Sequence, residues 1–144
     1  MRILVLEDHF ALREQLVSLI ETMGHSALPV KDAREAIEVL QRTQADAVIT
    51  DVFVKRNGSL VPEGGVRLVG AIRFSRSLGL KISRKAPVLA ISGGLGIAGG
   101  YSPLRTARDI GADFCLSKPL KMDEVAVWIL DAEISVSERI SARS

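Results

Sequence analysis

The stretch Arg2-Ile3-Leu4-Val5-Leu6-Glu7-Asp8 joins a short apolar run to a pair of carboxylates. A run that is short, continuous and rich in branched side chains predicts a buried β-strand, here from Arg2 to Glu7. In an open α/β sheet, ligands bind outside the carboxyl ends of the strands. In such a sheet, Glu7 and Asp8 would stand where a functional site is expected.

The same arrangement recurs along the chain. Three more apolar runs predict strands, and each is followed by a polar residue: Asp51 after 45–50, Ser92 after 87–91, and Lys118-Pro119 after 113–117. In one parallel sheet these groups would meet at a single rim. The sequence therefore predicts one site that holds acids, a hydroxyl and an ammonium.

Helical patterns separate the predicted strands. Apolar residues recur at helical spacing around 11–23, 33–40, 66–79, 103–111 and 125–132, and a weaker strand is predicted at 25–30. The alternation predicts an α/β fold with a doubly wound, five-stranded parallel sheet. We expect a flavodoxin-like three-layer sandwich with strand order 2-1-3-4-5.

Bulk composition limits the possible classes of protein. The chain has 144 residues, of which 47% are hydrophobic and 25% charged, as expected for one globular domain. Its formal net charge of +2 gives no reason to expect a nucleic-acid partner. No apolar run approaches the roughly 20 residues that span a bilayer, so no membrane partner is expected. The single cysteine, Cys115, favours a reducing compartment, and we expect a cytoplasmic protein.

The predicted cluster of carboxylates has a chemical consequence. Carboxylates held close together repel one another unless a cation lies between them. Mg²⁺ prefers oxygen ligands and also binds phosphoryl oxygens, so the cluster predicts a Mg²⁺-dependent phosphoryl-transfer site. An aspartate there can act as a nucleophile, and Lys118 supplies a compact positive charge for phosphoryl oxygens.

In order and spacing, these groups resemble the receiver domain of two-component response regulators. The matching residues are Glu7-Asp8, Asp51, Ser92 and Lys118-Pro119. The resemblance extends from Met1 to about Ala132. We expect residues 1–134 to form the receiver domain and residues 135–144 to form a C-terminal tail or helix extension.

The resemblance implies a role for each site residue. Asp51 would be the phosphoacceptor, Lys118 would contact the phosphoryl group, and Ser92 would be the switch hydroxyl. Mg²⁺ would be bound by Asp8 and Asp51, by Glu7 through water, and by the backbone carbonyl of Phe53. The Lys118-Pro119 peptide bond would be cis.

The resemblance also implies a function. The protein would accept a phosphoryl group from a histidine kinase or a histidine phosphotransfer protein, as one step of a two-component phosphorelay. It would then act through protein–protein docking on a downstream protein target. It would catalyse only its own phosphotransfer and dephosphorylation, and is not otherwise expected to be an enzyme.

Several features depart from the family pattern. Cys115 stands where the family usually has its switch aromatic, three residues before the lysine. The polar segment Val52–Gly64 is longer than usual, and we expect a mobile cover or a partner surface there. The segment Gly93–Tyr101 is rich in glycine. Residues 94–99 of it fit the dinucleotide pattern G-x-G-x-x-G, but the predicted helix starts past the last glycine, which favours a flexible loop.

Two other functions are compatible with parts of the pattern. A phosphate-independent scaffold would keep the fold without switching, and Cys115 motivates this alternative. An aspartate-nucleophile phosphatase would carry a second acid two residues after the nucleophile, where this chain has the apolar Phe53.

A set of basic residues could dock an anionic partner, although a solvated helix end is expected: Arg73, Arg76, Lys81, Arg84 and Lys85.

Overall fold

The computed structural model describes residues 1–52, 54–56, 59–61, 64–93, 108–109 and 111–143. Seven strands lie in these ranges: β1 (Arg2–Leu6), β2 (Ser26–Val30), β3 (Ala47–Asp51), β4 (Val54–Arg56), β5 (Ser59–Val61), β6 (Val88–Ser92) and β7 (Phe114–Ser117). Five of them form one parallel sheet in the order β2-β1-β3-β6-β7. Because β4 and β5 form a separate sheet, β6 and β7 are the fourth and fifth strands of the parallel sheet. The predicted fold class and the strand order 2-1-3-4-5 are therefore confirmed.

Four helices of the described chain accompany the strands. They are α1 (Phe10–Thr22), α2 (Ala33–Arg42), α3 (Gly65–Phe74) and α4 (Met122–Arg143). The Asp32 side chain caps α2 by accepting a hydrogen bond from the Glu35 backbone N–H at 2.9 Å, a common way to satisfy the first free donors of a helix. Gly24 adopts a φ of 86° just after α1, a conformation that favours glycine.

Both faces of the sheet are covered, because neighbouring residues of a strand point to opposite sides. Leu4 and Leu6 of β1 pack into the core layer shared with α2 and α3. Ile3 and Val5 pack into the other layer, with α1 and α4. The continuous apolar run of β1 is thus explained, since a strand buried on both faces has no polar side to present to solvent.

Helix α3 ends at Phe74, five residues before the end near Gly79 that its sequence predicted. Arg73, in its last turn, donates hydrogen bonds to the backbone carbonyls of Gly111, Arg84 and Ala86, and one to the Asp113 carboxylate. These bonds tie the end of α3 to the segments that precede β6 and β7. Arg73 therefore has a structural role.

Helix α4 continues to Arg143, through the residues for which a C-terminal tail or a helix extension was expected. Val136 is buried, and Arg139 donates a hydrogen bond to Ser83 Oγ at 2.8 Å. These contacts hold the last turns of α4 against the loop after α3. None of the helices in the described part of the chain has the length and apolar character needed to cross a membrane.

The segment predicted as a long loop at Val52–Gly64 contains an antiparallel hairpin of β4 and β5. Arg56 pairs with Ser59, so Asn57-Gly58 connects the strands. Asn-Gly between two short runs of β-formers is a strong hairpin signal, and the sequence interpretation missed it. Phe53, the Gly93–Tyr101 loop apart from Gly93, and the predicted helix start at 102–103 lie outside the described residues.

Candidate functional site

The carboxyl ends of four neighbouring strands meet at one edge of the sheet. Glu7 follows β1 directly, Asp51 is the last residue of β3, and Lys118 follows β7. The strand register brings these ends level, since Asp51 lies beside Ile91 and Ser92 beside Ser117. The predicted single rim therefore exists.

Three carboxylates form a cluster at this edge. Glu7, Asp8 and Asp51 each offer an oxygen atom, and these atoms all lie within 4.8 Å of one another. Glu7 is fully buried, Asp51 is 6% exposed, and Asp8 is exposed to solvent. The cluster is thus closed on the protein side and accessible from the side of Asp8.

The Lys118 ammonium lies between the two buried carboxylates. Its Nζ donates hydrogen bonds to Asp51 Oδ2 at 3.2 Å and to Glu7 Oε1 at 3.3 Å. Glu7 Oε1 also accepts the His9 backbone N–H at 3.1 Å. Glu7 Oε2 lies 3.0 Å from Nζ as an ion pair, and among the described residues no hydrogen bond to this oxygen is found.

The charges in the site do not balance. When all four groups are ionised, the three carboxylates and Lys118 together carry two excess negative charges. Burial, followed by the nearby Glu7 carboxylate, raises the pKa of Asp51 to about 7 although Lys118 opposes this. Burial also raises the pKa of Glu7, against the attraction of Lys118.

Lys118 itself is held as a cation. Burial would lower its pKa, but the carboxylates of Asp51 and Glu7 outweigh burial and raise that pKa. Its backbone N–H donates to the Ser92 carbonyl at 2.8 Å, and the Lys118-Pro119 peptide bond is cis. The backbone thus fixes the start of the lysine side chain beside β6.

The donor set fits a hard divalent cation. A divalent cation would cancel the two excess charges, and its preferred ligands are carboxylate oxygens of the kind that Glu7, Asp8 and Asp51 present. Glu7 Oε2, buried and without a hydrogen-bond donor among the described residues, is an acceptor that such an ion or its water could use. The carbonyl of Phe53, the fourth predicted ligand, lies outside the described residues.

Ser92 lies at the end of β6 and is almost fully buried. It follows Ile91, the residue paired with Asp51 on the next strand, so it reaches the same edge of the sheet. Phe114 is 54% exposed, whereas Cys115 is half-buried beside Ala90. Burial raises the pKa of the Cys115 thiol, although the positive charge of Arg108 opposes this. The raised pKa keeps the thiol neutral.

Gly65 is a site residue that sequence reasoning missed. A Cβ atom at this position would lie 2.7 Å from the backbone carbonyl oxygen of Asp51 and 3.2 Å from the Thr50 side chain. Only glycine lets the start of α3 approach the end of β3 so closely. The Gly64-Gly65 pair that precedes the helix pattern was the available signal.

Replacing Asp51 with asparagine is expected to stabilise the metal-free protein. The folded-state pKa of about 7 lies above the ordinary 3.8, so folding favours the protonated carboxyl. Stability is therefore lost as pH rises from about 4 to 7. This difference between the two pKa values corresponds to a loss of about 4 kcal/mol at most in the free energy of unfolding. Urea unfolding in EDTA should show Asp51→Asn more stable by about 2–4 kcal/mol at pH 8, and nearly equal to wild type at pH 4. A variant that is less stable at pH 8 would contradict this electrostatic account.

Comparison with known proteins agrees with the geometry. The family model of the response regulator receiver domain matches residues 3–129. The sensory/regulatory protein RpfC of Xanthomonas campestris pv. campestris is 30% identical over 96% of this chain and 17% of its own length. The response regulator MprA of Mycolicibacterium vanbaalenii is 30% identical over 86% of this chain and 46% of its own length. The chain therefore spans less than half of either relative.

Solved structures share the fold at low sequence identity. A CheY-like receiver domain protein from Methanospirillum hungatei superposes with a TM-score of 0.74 at 15% identity, covering 96% of this chain and 97% of its own. A second structure is the receiver domain of the sensor histidine kinase PA1611 from Pseudomonas aeruginosa, solved with a magnesium ion in its active site cleft. It superposes with a TM-score of 0.70 at 19% identity, covering 91% of this chain and 95% of its own. Because the family model covers most of the residues that build the sheet and the carboxylate cluster, the chain belongs to the response regulator receiver domain family of two-component systems.

Proposed function

We propose that this receiver domain accepts a phosphoryl group on Asp51 and thereby changes its binding to another protein. The observation that carries the proposal is the position of the Asp51 carboxylate. It is buried beside the Lys118 ammonium and shares a cluster with Glu7 and Asp8. A carboxylate can act as a nucleophile toward phosphorus, and it needs a nearby cation for the charge that develops on the phosphoryl oxygens.

Each neighbour then has a role in the transfer. A carboxylate oxygen of Asp51 attacks the phosphorus atom, and the bond from phosphorus to the imidazole nitrogen of the donor breaks. Lys118, already 3.2 Å from Asp51, moves its hydrogen bond to the incoming phosphoryl oxygens. The Ser92 hydroxyl, at the end of the adjacent strand, donates to the phosphoryl group once it is present.

We assign Mg²⁺ to the carboxylate cluster. Asp8 and Asp51 would bind the ion directly, Glu7 would bind it through a water molecule, and the carbonyl of Phe53 would complete the protein ligands. When bound, Mg²⁺ neutralises negative charge on the carboxylates and on the phosphoryl oxygens. Support comes from the excess charge of the cluster and from the related PA1611 receiver domain, which was solved with magnesium.

The proposed phosphodonor is a histidine kinase or a histidine phosphotransfer protein. Receiver sequences similar to this chain occur in the sensory/regulatory protein RpfC, and a similar fold occurs in the sensor histidine kinase PA1611. We propose a cytoplasmic protein that acts by docking to a downstream protein target. We assign it neither nucleic acid nor membrane as a partner, and no catalysis beyond its own phosphotransfer and dephosphorylation.

Intact mass measurement tests the proposal. Wild-type protein incubated with Mg²⁺ and acetyl phosphate should gain about 80 Da, the mass of one phosphoryl group. The same incubation with EDTA should give almost no gain. If the wild-type mass stays unchanged with Mg²⁺, the phosphate-independent scaffold is the better description.

Binding of Mg²⁺ should weaken as pH falls. The raised pKa of Asp51, about 7, means that this ligand is mostly protonated at pH 6 in the metal-free protein. The ion must displace that proton, so its affinity should fall about tenfold between pH 8 and pH 6. Titration calorimetry at both values measures this. Asp46→Asn, which removes a carboxylate at the opposite end of β3, is the matched control and should leave the pH dependence unchanged. Equal wild-type affinity at pH 6 and 8 would contradict the prediction.

A further inference from the structure

A cleft of about 500 Å³ opens at the amino ends of the strands, away from the carboxylate cluster. Its walls come from the segment before β3, the loop after α3 and the last turns of α4. The residues that matter here are Asp46, Lys81, Ile82, Val136, Arg139 and Ile140. The volume lies in the range of small-molecule sites and far exceeds that of a single inorganic ion.

One wall of the cleft carries a donor that the protein leaves unused. The Arg139 guanidinium donates through Nη1 to Ser83 Oγ at 2.8 Å, but its Nε is buried and has no acceptor among the described residues. Buried donors are almost always paired in folded proteins. Among the described residues, the Arg139 guanidinium is therefore only partly paired.

The cleft is positively charged overall. Lys81 adds an ammonium, whose Nζ lies 3.4 Å from the Arg42 carbonyl. The carboxylate in the lining, Asp46, already accepts the Arg2 backbone N–H at 2.8 Å. Two cations against one acid leave an excess positive charge, so the expected ligand carries a negative charge.

The cleft also has apolar lining residues. These are Ile82, Val136 and Ile140, and Ile140 remains 64% exposed. The frame of the cleft is fixed. Backbone hydrogen bonds from Lys81 N–H to the Leu40 carbonyl at 2.7 Å, and from Ala45 N–H to the Lys81 carbonyl at 3.1 Å, hold the loop in place. A pre-formed site loses little conformational entropy when a ligand enters.

We propose that this cleft binds a small organic anion, with its carboxylate at Arg139 and Lys81 and its aliphatic part along Ile82, Val136 and Ile140. The two cations neutralise the carboxylate, and the aliphatic part covers apolar surface that water otherwise contacts. Nothing in this site depends on phosphoryl transfer at Asp51.

The test is a titration of ¹⁵N-labelled protein with hexanoate, followed by two-dimensional NMR. Amide signals of residues 44–46, 81–83 and 136–140 should shift and saturate at millimolar concentrations. Arg139→Gln and Lys81→Gln should each weaken binding about tenfold, because each removes a charged donor to the carboxylate. Arg84→Gln removes an exposed cation of the same loop that is absent from the lining, and should bind like wild type.

Two further probe molecules test whether binding requires both the negative charge and the aliphatic part. Hexylammonium, with the same aliphatic part and the opposite charge, should not saturate, and inorganic phosphate should bind more weakly than hexanoate. The proposal is overturned if hexanoate shifts do not saturate, if both lining variants bind like wild type, or if hexylammonium or phosphate binds as well as hexanoate. Because Lys81 lies outside α4, Lys81→Gln remains informative even if Arg139→Gln disturbs the helix.

Discussion

Asp51→Asn will abolish phosphoryl uptake from acetyl phosphate, with a decrease of at least about 100-fold in the amount of modified protein. An amide oxygen is a far weaker nucleophile than a carboxylate, and no other acid in the cluster has the same surroundings. Glu7 is fully buried and in contact with Lys118, while Asp8 is exposed. Asp51 alone combines burial, a 3.2 Å contact to Lys118 and a position at the end of a central strand.

Two controls separate loss of chemistry from loss of fold. Asp51→Asn should be more stable than wild type at pH 8 without metal, so a failure to gain mass cannot be attributed to unfolding. Asp46→Asn removes an acid at the other end of the same strand and should be phosphorylated like wild type. Equal mass gain in Asp51→Asn and wild type would disprove the assignment.

Lys118→Met will both destabilise the metal-free protein and slow phosphorylation. Without the ammonium, the carboxylates of Glu7 and Asp51 repel each other in a buried setting. Removing one partner of a buried ion pair costs about 3–5 kcal/mol. Loss of the cation that faces the phosphoryl oxygens should slow phosphorylation by about 10²–10³-fold.

The pH dependence distinguishes this effect from a packing defect. The pKa of Asp51 is raised to about 7, so protonation of Asp51 at pH 5 should remove much of its repulsion with Glu7. The loss of stability in Lys118→Met should therefore be smaller at pH 5 than at pH 8 in urea unfolding. Lys121→Met, an exposed lysine three residues later, should behave like wild type. A loss that is equal at both pH values would indicate packing and would contradict the electrostatic explanation.

Local sequence patterns were sufficient to predict the sheet and its functional edge. Four of the five strands of the sheet are short apolar runs, and the residues after β1, at the end of β3 and after β7 are those that meet in space. Because parallel strands in a doubly wound sheet share one direction, the ends of the runs determine where the side chains gather. The positions of Glu7, Asp51 and Lys118 followed from this rule alone.

Features that depend on tertiary contacts were missed. Arg73 resembles any surface arginine in sequence, and only the folded chain brings the carbonyls of Gly111 and Ala86 to its guanidinium. The sequence left a tail or a helix extension open for residues 135–144, and the hydrogen bond from Arg139 to Ser83 in a distant loop could not be predicted from local patterns. The β4–β5 hairpin was different, because its Asn57-Gly58 signal was present in the sequence and was overlooked.

The most direct test of the central claim is to locate the phosphoryl group. Wild-type protein phosphorylated in the presence of Mg²⁺ is reduced with borohydride, which converts an acyl phosphate into the corresponding alcohol, and the peptides are sequenced by mass spectrometry. We predict homoserine at position 51, at no other acid, and only when Mg²⁺ was present. Reduction at Glu7, Asp8 or a distant acid, or reduction at position 51 that does not need Mg²⁺, would contradict the proposed site.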